Sequence, residues 1–90
     1  MAEIKVFEAA FLKPGPGITN ASFAQVLWDQ NKKEYTVPLE IASQQGNIYR
    51  VFPASGAHGK IEVSASGFKS SRVDVVEEPL ATTKEVFLSR

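Results

Sequence analysis

The chain has 90 residues, the size of one small domain with a single hydrophobic core. Hydrophobic residues make up 43% of the chain and charged residues 22%, which is typical of a folded globular domain and argues against disorder. Ten basic residues balance ten acidic ones, so the chain lacks the positive charge expected of a protein that binds nucleic acid or an anionic membrane. Cysteine is absent, which excludes disulfides and thiolate chemistry, and His58 is the only histidine, which leaves little for a metal or acid–base site.

We expect no signal peptide in residues 1–12, because Glu3, Lys5 and Glu8 interrupt their apolar residues. No apolar stretch approaches the roughly 18 residues of a membrane span, so we expect no membrane insertion. We expect residues 1–90 to be a single domain, either not exported by a cleaved signal or cut from a longer protein. A chain without cysteine fits the cytosol, a bacterial cell surface or a virion, and less well the disulfide-rich secreted domains of animals.

Apolar and polar residues alternate along most of the chain with the period of two that indicates strands with one buried face. In the first of these segments the apolar phase changes from Ile4 and Val6 to Phe7, Ala9 and Phe11, which predicts a β-bulge. Strands are predicted at residues 3–12, 22–29, 35–41, 47–52, 60–66, 72–75 and 84–89.

The segments between these strands are rich in glycine, proline and polar residues. The sequence KPGPG at residues 13–17 predicts a stiff connecting loop, and the polar residues 29–33 predict a hairpin turn. Further turns are predicted at residues 43–47, 53–59, 66–67 and 77–79. The regular spacing of about seven short strands predicts an all-β fold, an antiparallel two-sheet β-sandwich of the Ig-like or transthyretin-like kind.

Each predicted strand has an apolar stripe that a single sheet would leave in water, so two sheets must face each other. The residues expected inside are Phe7 or Phe11, Val26, Trp28, Val37, Leu39, Ile41, Tyr49, Val51, Ile61, Val63, Val73, Val75, Val86 and Leu88.

The second half of the chain resembles the carboxypeptidase regulatory-like domains. The resemblance lies in residues 46–51 (GNIYRV) and 59–70 (GKIEVSASGFKS), followed by two segments at 73–75 and 85–88 that match the last two strands of the family. Ile61 stands where that family usually has a tyrosine. The resemblance implies a transthyretin-like sandwich that serves as an accessory module on bacterial surface proteins, without catalytic residues.

Candidate catalytic and metal-binding residues are few. His58 lies in a predicted exposed turn without a carboxylate and nucleophile around it. The acidic residues that could pair for catalysis fall on predicted wet faces or turns: Asp29, Glu34, Glu40, Asp74, Glu77 and Glu78. Glu77 and Glu78 lack the aspartate-rich loop typical of calcium sites. We therefore predict no enzyme activity, no metal and no cofactor.

Aromatic residues offer a different kind of site. Trp28 has the in-phase neighbours of a core tryptophan, but with Asp29 and Tyr35 close by it also suits an aromatic platform that binds a carbohydrate. Phe68 follows Gly67 in a predicted turn and is expected to be exposed, although the resembling family packs this position over the end of the sandwich. The candidate binding residues are Trp28, Asp29, Lys32, Tyr35, His58 and Phe68.

The leading functional hypothesis is a non-catalytic interaction or display module of a cell-surface or virion structural protein, such as a phage decoration or an adhesion domain. Its partner would be another protein or its own larger chain, bound through the loops at 13–20, 30–33 and 53–59 or through an exposed strand edge. A carbohydrate-binding module built around Trp28 is the alternative, and an inhibitor or enzyme subunit that inserts residues 13–20 into a cleft is a third. Self-association through edge strands that include residues 86–88 is also left open.

Overall fold

The computed structural model of the chain describes residues 2–52, 59–75 and 83–90. Extended backbone dominates these residues, as the alternating pattern predicts, and they contain no helix. The strands in the described part are β1 (Ala2–Ala10), β2 (Lys13–Gly17), β3 (Ser22–Trp28), β4 (Glu34–Leu39), β5 (Ile41–Gln45), β6 (Ile48–Val51), β7 (Gly59–Ser64), β8 (Ser71–Val75) and β9 (Thr83–Leu88).

Five of the described strands form sheet 1, in which β1 is the central strand. The first half of β1 pairs with β6, and β6 pairs with β5 at the edge. The second half of β1 pairs with β2, and residues 3–8 also pair with β9 in parallel. The parallel pair of the first and last strands differs from the fully antiparallel arrangement that was expected, because a sequence pattern carries no information about strand direction.

Sheet 2 is antiparallel, with the strand order β4-β3-β7-β8. Its register places Phe23 of β3 beside Val63 of β7 on the face towards sheet 1. Glu62 and Arg72 are paired on the opposite face. This alternation of apolar and charged residues is the reason that sheet 2 packs with one face only.

The core lies between the two sheets. Sheet 1 contributes Ile4, Val6, Tyr49, Val51, Val86 and Leu88, sheet 2 contributes Phe23, Ile61 and Val63, and the β2–β3 connection contributes Ile18 and Ala21. Each fully buried aliphatic side chain contributes about 1.5–3 kcal/mol relative to an exposed one. The predicted β-sandwich is therefore confirmed, with more strands than the seven that were expected.

A buried tyrosine holds the connection between the sheets. The Tyr49 hydroxyl donates a hydrogen bond to the Ile18 carbonyl oxygen (2.7 Å) and accepts one from the Ala21 amide (3.1 Å). The Tyr49 ring packs at 58° against that of Phe23, with the ring centroids 4.9 Å apart. One side chain thus satisfies two buried backbone groups in a segment that lies outside both sheets.

The prediction of a loop at 13–17 is wrong, because this segment is strand β2. Pro14 and Pro16 cannot donate ladder hydrogen bonds, but β2 lies at an edge of sheet 1, where proline is tolerated. Gly15 is required here, since a Cβ atom at this position would collide with the backbone carbonyl of Glu8. The expected bulge in β1 is confirmed by a register shift between Phe7 and Ala9.

The prediction of one strand at 35–41 is also wrong. The chain leaves sheet 2 after Leu39 and enters sheet 1 at Ile41, so two strands in different sheets are separated by Glu40 alone. A register shift between Ile41 and Ser43 marks this corner. Residues 43–45, which were expected to lie in a turn, continue β5.

Several predicted core residues are exposed. Phe11, Trp28, Val37 and Ile41 all present large apolar side chains to solvent. Phe7 and Leu39 are partly buried. Val26 is fully buried, but its register with Thr36 places it on the face of sheet 2 away from the core. Trp28 has the same parity as Val26 in β3, so it also lies on the face of sheet 2 away from sheet 1.

The turn predictions at 29–33 and 66–67 are confirmed, and the one at 43–47 is confirmed only at residues 46–47. Gly46 and Gly67 both have positive φ, 61° and 86°, in the turns that end β5 and follow β7. Residues 29–33 connect β3 and β4 as a hairpin. The turns at 53–59 and 77–79 lie wholly or mostly outside the described residues.

Candidate functional site

The tip of the β1–β2 hairpin carries two adjacent apolar side chains in solvent. Phe11 is 88% exposed and Leu12 is 89% exposed. They form the two-residue connection between Ala10 and Lys13, which are paired across the hairpin. Isolated exposed apolar residues are ordinary on a protein surface, but two neighbours at the end of a projecting hairpin form a continuous apolar surface.

The backbone of this tip is unusual for its residue types. Leu12 has a φ of 65°, in the left-handed region that Gly, Asn and Asp adopt most readily. Two-residue hairpin loops are normally built from such residues, often as Asn-Gly. The turn therefore places leucine where a small polar residue would fit better, at a cost of about 1 kcal/mol. Residues in such conformations cluster at functional sites.

An apolar groove lies beside the tip. It has a volume of about 380 Å³ and is lined by Ala9, Ala10, Leu12, Lys13, Pro14 and Phe87. Phe87 comes from β9 and stacks on Phe7 of β1, with the ring centroids 5.5 Å apart. The parallel pairing of β1 with β9 thus brings residues from both ends of the chain into one surface. We call Phe11, Leu12 and the residues that line this groove the hairpin site.

The base of the hairpin is held by contacts to the rest of sheet 1. The Val6 carbonyl oxygen accepts hydrogen bonds from the Ile18 amide and from the Asn47 side chain, both at 3.0 Å. The carboxylate of Glu8 accepts a hydrogen bond of 3.1 Å from Arg90. These contacts fix the hairpin in position without any contact to its apolar tip, which is a preorganised arrangement for binding.

The residues predicted to form an aromatic platform are not brought together. Trp28 is paired with Glu34, and the neighbouring pair is Leu27 with Tyr35. Because successive residues of a strand point to opposite faces, Trp28 and Tyr35 lie on opposite faces of sheet 2. Trp28 is 49% exposed, so it is not the core tryptophan that we expected.

Asp29 organises the β3–β4 turn. One of its carboxylate oxygens accepts hydrogen bonds from the amides of Asn31 (2.8 Å) and Lys33 (2.9 Å). Lys32 lies in this turn with a φ of 59° and donates its backbone amide to the Asp29 carbonyl oxygen (3.0 Å). The hydrogen bonds that Asp29 accepts within the turn therefore account for its conformation.

Phe68, another predicted site residue, belongs neither to the hairpin site nor to the β3–β4 turn. Phe68 is partly buried and packs against the core, with the Arg90 guanidinium 5.1 Å from its ring centroid, so the expectation that it is exposed is wrong. The packing against the sandwich is that expected from the family resemblance. His58, Glu77 and Glu78 lie outside the described residues, and in the described ranges no group of three acidic or histidine side chains could hold a metal ion.

A network of ion pairs lies on the face of sheet 2 that points away from the core. Arg72 of β8 forms ion pairs with Glu34 of β4 and with Glu62 of β7, the latter at 3.6 Å. The hydrogen bond with Glu34 raises the pKa of Arg72 above its ordinary value, against the smaller lowering effect of desolvation. Strands β3 and β7 lie between Arg72 and Glu34, so this pair crosses the centre of the face.

Sequence reasoning missed the hairpin site because it read Phe11 as a core residue and residues 13–17 as a loop. The available signal was the position of Phe11 and Leu12, two large apolar residues directly before a polar and proline-containing segment. Because the buried stripe of a strand has a period of two, only one of two adjacent apolar residues can belong to it.

No family model, curated protein or solved structure matches the chain. The class of protein that the structure supports is accordingly a two-sheet β-sandwich, and the carboxypeptidase regulatory-like relationship stays a prediction. Within the described ranges, no helix has the length and hydropathy needed to span a membrane.

Proposed function

We propose that the protein is a non-catalytic interaction module that docks onto a partner protein, or onto a further part of its own chain, through the hairpin site. A module of this kind would act as a spacer, anchor or decoration domain in a surface or virion assembly. The observation that carries the proposal is the pair of adjacent exposed side chains, Phe11 and Leu12, at the tip of a fixed hairpin.

The energetics favour an apolar pocket on the partner. Burying Phe11 and Leu12 would contribute about 1.5–3 kcal/mol for each side chain. Because the hairpin base is already fixed by Val6, Glu8 and their partners, little backbone order has to be created on binding. The groove beside the tip would receive an apolar side chain of the partner in return.

The charge of the site suggests the chemistry of the partner's rim. Lys13 is the one charged residue between positions 9 and 17, and it lines the groove. A carboxylate at the edge of the partner's pocket would complement it, while a basic rim would be repelled. The proposed partner surface is therefore an apolar pocket bordered by acidic residues.

Site-specific photo-crosslinking in the native source tests this proposal. Benzoylphenylalanine at position 11 is expected to trap one defined protein, and the same group at Gln30 in the β3–β4 turn serves as the matched control. Excess unlabelled chain should compete, and the Leu12→Asn chain should not. Equal cross-linking from both positions, or competition by Leu12→Asn, would contradict the proposal, and co-sedimentation with lipid vesicles that depends on Leu12 would reassign the tip to a membrane.

A further inference from the structure

Trp28 has polar neighbours on its own face of sheet 2. Glu34 lies directly opposite Trp28 on β4, and such cross-strand pairs have Cβ atoms about 4.5–5.5 Å apart. The indole is half-exposed, on the same face as the Arg72 ion pairs. An aromatic ring, a carboxylate and a guanidinium are therefore close together on one sheet surface.

The polar groups of this surface are held in place by one another. Arg72 pairs through Nη2 with Glu34 and through Nε with Glu62. A guanidinium has five N–H donors in a fixed planar arrangement, so the donors on Nη1 are directed away from these two carboxylates. The carboxylate oxygens of Glu34 keep lone pairs for further donors. This arrangement can donate and accept hydrogen bonds at neighbouring points.

The charges on this outer face of sheet 2 distinguish anionic ligands from neutral ones. The register places three carboxylates here, Glu34, Glu62 and Asp74, together with two cations, Lys60 and Arg72. Both cations have a carboxylate beside them, since Lys60 is paired with Asp74. An anionic ligand would meet excess negative charge, whereas a neutral polyhydroxyl ligand would not.

We propose that this face binds a neutral hexopyranose chain. The apolar face of a sugar ring stacks on the Trp28 indole, and its hydroxyl groups bond to the Glu34 carboxylate and the Arg72 guanidinium. The site replaces the Trp28–Tyr35 platform that the sequence suggested, because Tyr35 lies on the other face. It is separate from the hairpin site, and neither proposal depends on the other.

Tryptophan fluorescence is the direct readout, since Trp28 is the only tryptophan of the chain. The full chain is titrated with cellohexaose, chitohexaose and mannohexaose, and with oligogalacturonate as an anionic counterpart. We expect a saturable change in emission with at least one neutral hexasaccharide, with a Kd of about 0.1–10 mM, and weaker binding of oligogalacturonate. No change with any of the three neutral hexasaccharides, or tighter binding of oligogalacturonate, would overturn the proposal.

Two variants and one control separate this site from nonspecific binding. Trp28→Ala is expected to weaken binding about tenfold or more in calorimetry, because the stacking surface is lost. Arg72→Lys keeps the positive charge and leaves Trp28 in place as the fluorophore, but it removes the planar guanidinium with its N–H donors. This variant should weaken binding about three- to tenfold. Tyr35→Ala, in the same hairpin but on the other face, should leave the Kd unchanged. Equal loss with Tyr35→Ala, or full binding by both site variants, would contradict the assignment.

Discussion

The β1–β2 and β3–β4 hairpins are stabilised by different contacts. Each has one non-glycine residue with positive φ at its turn, Leu12 in the β1–β2 hairpin and Lys32 in the β3–β4 hairpin. The β3–β4 turn is stabilised from within, because Asp29 accepts hydrogen bonds from two amides of the turn. The β1–β2 turn instead has an apolar pair, and the hydrogen bonds that hold this hairpin lie at its base.

This difference distinguishes a structural turn from a candidate binding site. Asp29 is a residue type that a turn itself favours, and its two hydrogen bonds hold the turn in which Lys32 adopts its positive φ, so this hairpin needs no explanation from outside. Phe11 and Leu12 are types that such a turn disfavours, and their exposure gains nothing for the free chain. A residue that opposes the local preference is best explained by a contact that the isolated chain lacks.

Removing the hydroxyl group of Tyr49 should produce the largest effect on stability. Tyr49→Phe leaves the Ile18 carbonyl and the Ala21 amide without their partner in the segment that follows β2. We expect a loss of about 2–4 kcal/mol in the free energy of unfolding, measured by urea denaturation. Tyr35→Phe is the matched control, because Tyr35 is half-exposed, and it should change stability by less than about 0.5 kcal/mol. Equal losses in the two variants would show that the hydroxyl of Tyr49 is not what holds this segment.

Adding a methyl group at Gly15 tests whether the β1–β2 hairpin is held from its base. In Gly15→Ala the new Cβ atom would collide with the Glu8 carbonyl, so the two strands must separate locally. We expect about 1–3 kcal/mol of destabilisation and faster amide exchange in β1 and β2. Gly46→Ala adds a methyl group in open space and reports the cost of the positive φ alone. Unchanged exchange in β2 after Gly15→Ala would contradict the close approach.

A smaller effect on stability is expected in the β3–β4 turn. Asp29→Ala removes the oxygen atom that accepts from Asn31 and Lys33, and should cost about 1 kcal/mol. Asp29→Asn keeps an acceptor oxygen and should restore most of that loss in thermal denaturation. If both substitutions were equally harmful, the charge of Asp29 rather than its hydrogen bonds would stabilise the turn.

The smallest effect on stability is expected at the hairpin tip. Leu12→Asn removes an exposed side chain and introduces a residue that tolerates positive φ, so the melting temperature should stay the same or rise by the equivalent of up to about 1 kcal/mol. The same variant is expected to lose binding to the partner. A clear drop in melting temperature would mean that Leu12 supports the fold, which would remove the main reason for placing the site there.

The sequence was most informative where local rules and tertiary structure agree. The period of two in Ile61 and Val63, and in Val86 and Leu88, predicts both the strands and the side that is buried, because each of these strands is covered by the opposite sheet. The turn at Asp29 was predictable from its residue types alone. The candidate residues were less well predicted, since Trp28 and Tyr35 are adjacent in the hairpin but lie on different faces.

By itself, then, the alternation of residues determined that this protein is all-β and needs two facing sheets, because apolar stripes with a period of two can be buried in no other way. Only the tertiary structure decided which stripes are covered, since Val37 is exposed although it lies on the same face of sheet 2 as Phe23, and Trp28 lies on the face away from sheet 1. It also decided that a proline-rich segment pairs as an edge strand and that β1 lies parallel to β9. Those choices depend on contacts between residues far apart in the chain, and no local pattern specifies them.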